Sequence, residues 1–201
     1  MRRGPAILFA IVLSFAGCLP ARSEARRATD GERLVALLGL EPGDAVAEIG
    51  AGDGDLTLQV AGILGSRSRL FTTELKRELP ALRRAVAGAP NVTVVEALPD
   101  ATNLPEACCE AVFMQRVFHH FRRPERNAAS LFRTVKPGGR VAVLDFEPKA
   151  HWSQPEGTPD RGGHGMPSGD LVRQMTGAGF ELVRIEPEWS GDLYAALFRK
   201  P

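Results

Sequence analysis

The chain has 201 residues, 44% of them apolar, with 25 basic against 24 acidic side chains and a formal net charge of +1. That length supports one domain, or one domain with a tail. The near-neutral balance gives no sign of a nucleic-acid groove or of an acidic substrate, and three cysteines, two of them adjacent, make no disulfide framework.

The N-terminus differs from the rest. Arg2 and Arg3 precede an almost wholly apolar run, Ala6 to Ala16, followed by small residues and a polar stretch. The run is too short for an ordinary membrane span and has the layout of a secretory signal. Phe15-Ala-Gly-Cys18 resembles a bacterial lipoprotein box, in which Cys18 is lipidated after cleavage and attaches the protein to a membrane. Cleavage after Ser23-Glu-Ala25 is the competing reading. Residues 1–25 are thus read as the leader of an exported protein, cytoplasmic only if the leader does not function. Residues 29–201 are read as one domain.

Thr29-Asp-Gly-Glu32 has the spacing of a capping box, and Leu34, Leu37 and Leu38 share one helical face. Ala45–Ile49 is a short apolar strand. A Gly-rich turn follows, then a helix with Leu56, Val60 and Leu64 on one stripe, which Asp55 can cap. Arg69–Glu74 reads as a second strand, Lys76–Val86 as a helix stopped by Gly88 and Pro90, and Asn91–Glu96 as a third strand. Ala111–Met114 is a fourth strand, and Pro124 opens a helix. Lys136-Pro-Gly-Gly139 reads as a turn and Arg140–Phe146 as a fifth strand. An irregular stretch rich in Gly, Pro and His, Glu147 to Pro167, precedes a helix capped by Ser168. Phe180–Ile185 and Asp192–Phe198 close the chain as a short-linked, antiparallel pair. Strands alternating with helices predict an α/β domain with a mainly parallel sheet.

The turn Glu48-Ile-Gly-Ala-Gly-Asp-Gly54 carries the first chemical signal. A chain leaving a strand end must turn sharply, and side chains at Gly50, Gly52 or Gly54 would block a ligand or force an unfavourable backbone angle. The next helix offers free N–H groups at its start. The spacing is Gly-x-Gly-x-Gly, not the Gly-x-Gly-x-x-Gly of pyrophosphate binders, and Glu48 suits a cationic amino acid better than a pyrophosphate. Glu74 ends the next strand, where a carboxylate can accept from two ribose hydroxyls. A solvated strand end is the plainer reading of Glu74.

With Val46–Gly54, Asp100-Ala-Thr-Asn-Leu-Pro105, Val117-Phe-His-His-Phe121 and Val135–Asp145 in this order, the chain resembles the class I S-adenosylmethionine (SAM)-dependent methyltransferases, in the branch acting largely on small molecules. The resemblance implies a three-layer, Rossmann-like fold whose seven-stranded, mostly parallel sheet ends in an antiparallel strand. It implies SAM as cofactor, bound by Glu48, Gly50, Ala51, Gly52, Gly54, Glu74, Asp100, Ala101 and Gln115. Asp100 would accept from the adenine amino group, with Ala101 beside the ring, and Gln115 would line the methionine end. A helix cap is the plainer reading of Asp100.

Methyl transfer from a sulfonium is an in-line displacement, so positioning can carry much of the catalysis. A general base is needed only if the acceptor must lose a proton early. His164 and His120 are the catalytic candidates, with His119 and His151 behind them; shaping a loop is the plainer role of the 119–120 pair. Asp145 stands evenly between structure and substrate contact. The Glu147–Pro167 stretch is expected to act as a lid. The histidines and cysteines show no zinc-ligand spacing, so no metal is expected. The expected acceptor is a small molecule, with no nucleic acid. A nicotinamide-dependent oxidoreductase and a non-enzymatic SAM-fold module of the envelope are the competing functions.

Overall fold

A computed structural model describes residues 28–201. The leader, with Cys18, lies outside the described residues. Among the described residues the elements alternate as expected. They are α1 (Asp30–Leu38), β1 (Ala45–Ile49), α2 (Asp55–Leu64), β2 (Arg69–Glu74), α3 (Leu79–Ala85), β3 (Val92–Glu96) and β4 (Cys109–Gln115). A 3₁₀ turn (Phe118–His120), α4 (Pro124–Thr134), β5 (Val135–Phe146), α5 (Ser168–Gly177), β6 (Glu181–Ser190) and β7 (Leu193–Arg199) complete them.

The strands form one seven-stranded sheet in the order β3-β2-β1-β4-β5-β7-β6. β1 pairs in parallel with both β2 and β4, and β7 runs antiparallel to both β5 and β6. This is the expected α/β, Rossmann-like sheet. Chain order reverses at β1: β2 and β3 extend one way, β4 and β5 the other. The helices that leave β1 and β4 therefore diverge, opening a crevice at the carboxyl ends of these strands.

Side-chain alternation builds the layers. Val46, Phe113 and Leu144 face the core under α1 and α2. Ala47, Val112 and Val143 face the opposite core under α4 and α5. Both faces are apolar, as a sheet covered on both sides requires. α3 packs on the sheet edge through Leu82 and Val86.

The α1 capping box is present: the Thr29 hydroxyl accepts from the Glu32 N–H at 3.2 Å, and the Glu32 carboxylate accepts from the Thr29 N–H at 2.7 Å. Thr29→Ala is expected to cost about 1 kcal/mol, measured as a lower denaturant midpoint with an unchanged slope.

Other boundaries differ from the sequence reading, for local reasons. Gly54, in a left-handed conformation, caps α2 without a side-chain bond, and Asp55 is already helical. Pro167 precedes α5, and its first amide, that of Ser168, donates to Glu147 at 3.0 Å. Lys136-Pro-Gly-Gly139 is no free turn: β5 begins at Val135, and Gly138 and Gly139 exchange backbone bonds with Lys200.

Candidate functional site

A cavity of about 770 Å³ opens at the reversal point of the sheet. Its size lies within the roughly 300–1,000 Å³ usual for small-ligand sites. β1 contributes Ile49 and the turn residues Gly50 and Gly52, β2 contributes Glu74, and β4 contributes Gln115. The loop after β3 contributes Ala101 and Thr102, and the 3₁₀ turn contributes His120.

The glycine turn is tied to β2. The N–H groups of Gly50 and Ala51 both donate to the Thr73 carbonyl at 3.0 Å. One carboxylate oxygen of Glu74 accepts from the Gly52 N–H at 3.2 Å, and the other accepts from the Leu75 N–H at 2.6 Å. Glu74 thus anchors the turn while remaining on the cavity wall. The three glycines serve different ends. A Cβ on Gly50 would stand 2.6 Å from Val117, and one on Gly54 would stand 3.0 Å from Val86. A Cβ on Gly52 would meet no protein atom within 4 Å. Only Gly52 keeps its open side for a ligand; Gly50 and Gly54 make room for the protein itself.

Several expected cofactor residues sit elsewhere. Glu48 is 2% exposed and does not line the cavity. It points to the α1–α2 side of the sheet, accepts from the Thr57 hydroxyl, and stands close to Thr72, whose hydroxyl is 2.9 Å from that of Thr57. Burial pushes its carboxyl up to about 8, against the Thr57 bond that lowers it. The alternation of β1 explains this: Val46 and Glu48 share a face, and that face is core. Ala51 is buried against Leu82 and Val86. Asp100 turns from the cavity to Arg123 at 2.6 Å, with Arg126 at 3.7 Å. A charge-assisted bond to a guanidinium holds it there. Ala101 beside it does reach the cavity, because buried Thr102 clamps the loop to Ser130 (3.1 Å) and Thr134 (2.8 Å) of α4.

Two features of the site escaped the sequence reading. Arg116 follows the last residue of β4 with φ +57, in the left-handed region. Its guanidinium pairs with Asp192 at 2.5 Å and lies over the Phe146 ring. Nothing in an Arg residue announces such a backbone. The second is a meeting of three imidazoles, where no metal-type cluster was expected. One ligand nitrogen from each of His119, His120 and His164 lies within 4.8 Å of the others. His119 is 1% exposed, and its Nδ1 is 2.7 Å from Asp145 of β5. Its Nε2 is 3.0 Å from the Nε2 of His164. His120 stands at the cavity, and desolvation, then the neighbouring His119 and His164, push its pKa down to about 4. His151 is not in this group.

The Glu147–Pro167 segment reaches the cavity through Pro155 and Glu156. It is pinned to the core at its far end, where the Met166 N–H donates to the Phe146 carbonyl at 2.9 Å and the Tyr194 hydroxyl donates to the Met166 carbonyl at 2.8 Å. Arg161 binds the His119 carbonyl at 3.0 Å.

Residues 47–143, just under half of the chain, match the family described as "Methyltransferase domain". The chain is 30% identical over 118 residues to the ubiquinone/menaquinone biosynthesis C-methyltransferase UbiE of Azotobacter vinelandii, covering 56% of this chain and 46% of that protein. It is 26% identical over 114 residues to the UbiE of Vibrio cholerae, covering 54% and 43%. The chain thus spans less than half the length of these curated relatives. A SAM-dependent methyltransferase from Aquifex aeolicus shares the fold, with a TM-score of 0.71, 20% identity, and coverage of 86% of this chain and 90% of that one. The [4+2]-cyclase SpnF shares it too, with a TM-score of 0.69, 17% identity, and coverage of 85% and 80%. One fold carries different chemistries. Residues 47–143 are thus similar to a methyltransferase domain, on a fold shared with a SAM-dependent methyltransferase.

Proposed function

We propose that the protein is a SAM-dependent methyltransferase acting on a small-molecule acceptor. The observation that carries this is the glycine turn at the sheet's reversal point, fastened to a cavity-lining carboxylate, Glu74, through the Gly52 N–H. The residues present fit SAM. Glu74 offers a carboxylate at the strand end where a ribose diol is recognised. Gln115 offers a polar amide, and Leu98, Ala101 and Val117 offer apolar walls. Glu48 is buried against Thr57 of α2, and Asp100 stands off the cavity, paired with Arg123.

SAM, when bound, supplies a methyl group already activated on a sulfonium. The chain then has to orient an acceptor and exclude water. Val117, Phe121 and Pro155 give the cavity its apolar lining on the side of the histidines. Where an acceptor carries a proton, His120 is the cavity-lining imidazole able to take it, and His164 stands behind it.

The test is calorimetric titration of the purified protein with SAM and, separately, with NAD. SAM is expected to bind and NAD is not. Glu74→Ala is expected to weaken SAM binding by about tenfold to a hundredfold, the loss of roughly 1.5–3 kcal/mol of hydrogen bonds to a charged acceptor. NAD binding, or equal SAM affinity in the variant, would overturn the reading. SAM binding with no methyl transferred to any metabolite pool would instead favour a binding module.

We also propose, on the sequence layout alone, that residues 1–25 export the protein. The mass of the mature N-terminus decides between a lipidated Cys18 and a chain starting at Arg26.

A further inference from the structure

The three histidines have a hydrogen-bond arrangement that cofactor binding does not explain. The Nδ1 of His119 is 2.7 Å from the Asp145 carboxylate, which also accepts from the N–H groups of His119 (3.2 Å) and Phe146 (2.9 Å). The Nδ1 of His164 is 2.9 Å from the Ser153 carbonyl oxygen. A carboxylate and a carbonyl only accept. Each Nδ1 therefore carries the hydrogen, and each neutral ring is left with a lone pair on Nε2. Those two Nε2 atoms face each other at 3.0 Å. Two lone pairs at that distance repel unless a cation lies between them.

The backbone enforces this meeting. Gly163 and Gly165 flank His164 with φ +140 and +139, and a Cβ on either would strike backbone atoms of residues 146–150 at 2.6–3.0 Å. His164 also bridges Lys149, whose N–H donates to the His164 carbonyl at 2.8 Å. The segment is pressed against the end of β5, and its imidazole is aimed at His119. A shared proton would satisfy two rings. The third, His120, stands beside both, its ring centroid 4.1 Å from that of His119 and 5.5 Å from that of His164.

We propose that His119, His120 and His164 bind one divalent transition-metal ion, with zinc as its first candidate. Two tetrahedral ligands at the usual zinc–nitrogen length stand roughly 3.3 Å apart, so the facing nitrogens need to move little. His120, exposed at the cavity, closes by side-chain rotation. The Asp145–His119 pair supplies the carboxylate–histidine support that fixes a metal-bound imidazole. An all-imidazole set selects zinc, copper, iron or nickel over magnesium or calcium. Three protein ligands leave a fourth position, and His120 places it at the cavity. With the metal bound, the His120 lone pair is taken up as a ligand, and a water or an acceptor oxygen held at the fourth position would lose its proton to solvent more readily, in place of transfer to His120. The site stands independently of SAM binding.

The test uses tag-free mature protein, stripped with a chelator and titrated with zinc alone. One equivalent is expected to bind. His164→Ala and His120→Ala, each checked for a native circular-dichroism spectrum, are expected to bind at least about tenfold more weakly. Cobalt substitution is expected to give the visible absorption of tetrahedral coordination in the parent and not in His164→Ala. Buried His119 is left unchanged, since its replacement endangers folding. Equally weak zinc uptake by the parent and both variants overturns the proposal, and a shared proton then holds the pair. No step of the readout involves SAM, so its failure is distinct from failure of the methyltransferase reading.

Discussion

Glu48→Gln is expected to be more stable than the parent protein at pH 8 and no more stable at pH 4. The Glu48 carboxyl is buried beneath the glycine turn, and desolvation pushes it up to about 8 from an ordinary value of 4.5. The nearby negative charges of Asp53 and Glu74 add to the rise, and the Thr57 hydroxyl opposes it. Below pH 4.5 both the folded and the unfolded chain hold this proton, and the contribution to stability is complete. Between 4.5 and 8 the unfolded chain releases it while the folded chain keeps it. The unfolded state then binds fewer protons, so stability falls as pH rises, by about 1.4 kcal/mol per unit. Above 8 the loss is complete, on the order of 5 kcal/mol at most. Gln does not titrate, can accept from Thr57, and can donate toward Thr72. Denaturant unfolding of both proteins at pH 4, 6 and 8 checks this. Parallel pH profiles would sink it. The same variant separates two roles for Glu48. If it faced a ligand cation, Gln would weaken SAM binding sharply; as a buried support of the turn, it leaves the affinity within a few-fold.

The contrast between Glu48 and Glu74 shows what the sequence could carry. Both are acids beside the glycine turn, and both were read as ligand contacts. Position along the strand decides between them: both lie on the sheet face of Val46 and Leu70, but Glu48 stands within β1 under the core, whereas Glu74 is the last residue of β2 and leaves the sheet at its open end. The strands were legible in the sequence, but how far the core reaches along each of them was not. The sheet was legible because each of its parallel strands is a short apolar run between turn signals. The capping box of α1 was legible because its two partners are three residues apart. Asp100 was not, since its partner Arg123 lies beyond β4 and the 3₁₀ turn and competes by charge for the same carboxylate. The histidine cluster was hidden more deeply. His164 reaches His119 only because Gly163 and Gly165 let the loop backbone press on residues 146–150, and neither glycine has meaning without that neighbour.

Gly50→Ala and Gly52→Ala are expected to fail in different ways, although the two glycines stand in one turn. Both have positive φ, +69 and +57. Holding an alanine there costs roughly 1–2 kcal/mol in either position. At Gly50 the added Cβ also meets two Val117 methyl carbons, at 2.6 and 3.1 Å. Val117 is itself on the cavity wall, so it must move into the cavity or push the turn off Thr73. Overpacking of this kind adds about 1–3 kcal/mol. Gly50→Ala is therefore expected to lose about 2–5 kcal/mol of stability. Adding Val117→Ala should restore the overpacking part and leave the backbone part. At Gly52 the new Cβ meets no protein atom, so the stability loss stops at the backbone cost. What it meets instead is the space kept open at the turn, where the Gly52 N–H already holds Glu74 in place. Gly52→Ala should thus keep most of its stability and lose SAM affinity at least tenfold. Denaturant midpoints and SAM titrations of the three variants check both halves. Equal stability losses at the two positions would show that the turn is strained by backbone angle alone. Full SAM affinity in Gly52→Ala would mean that the open side of this glycine does not face the ligand.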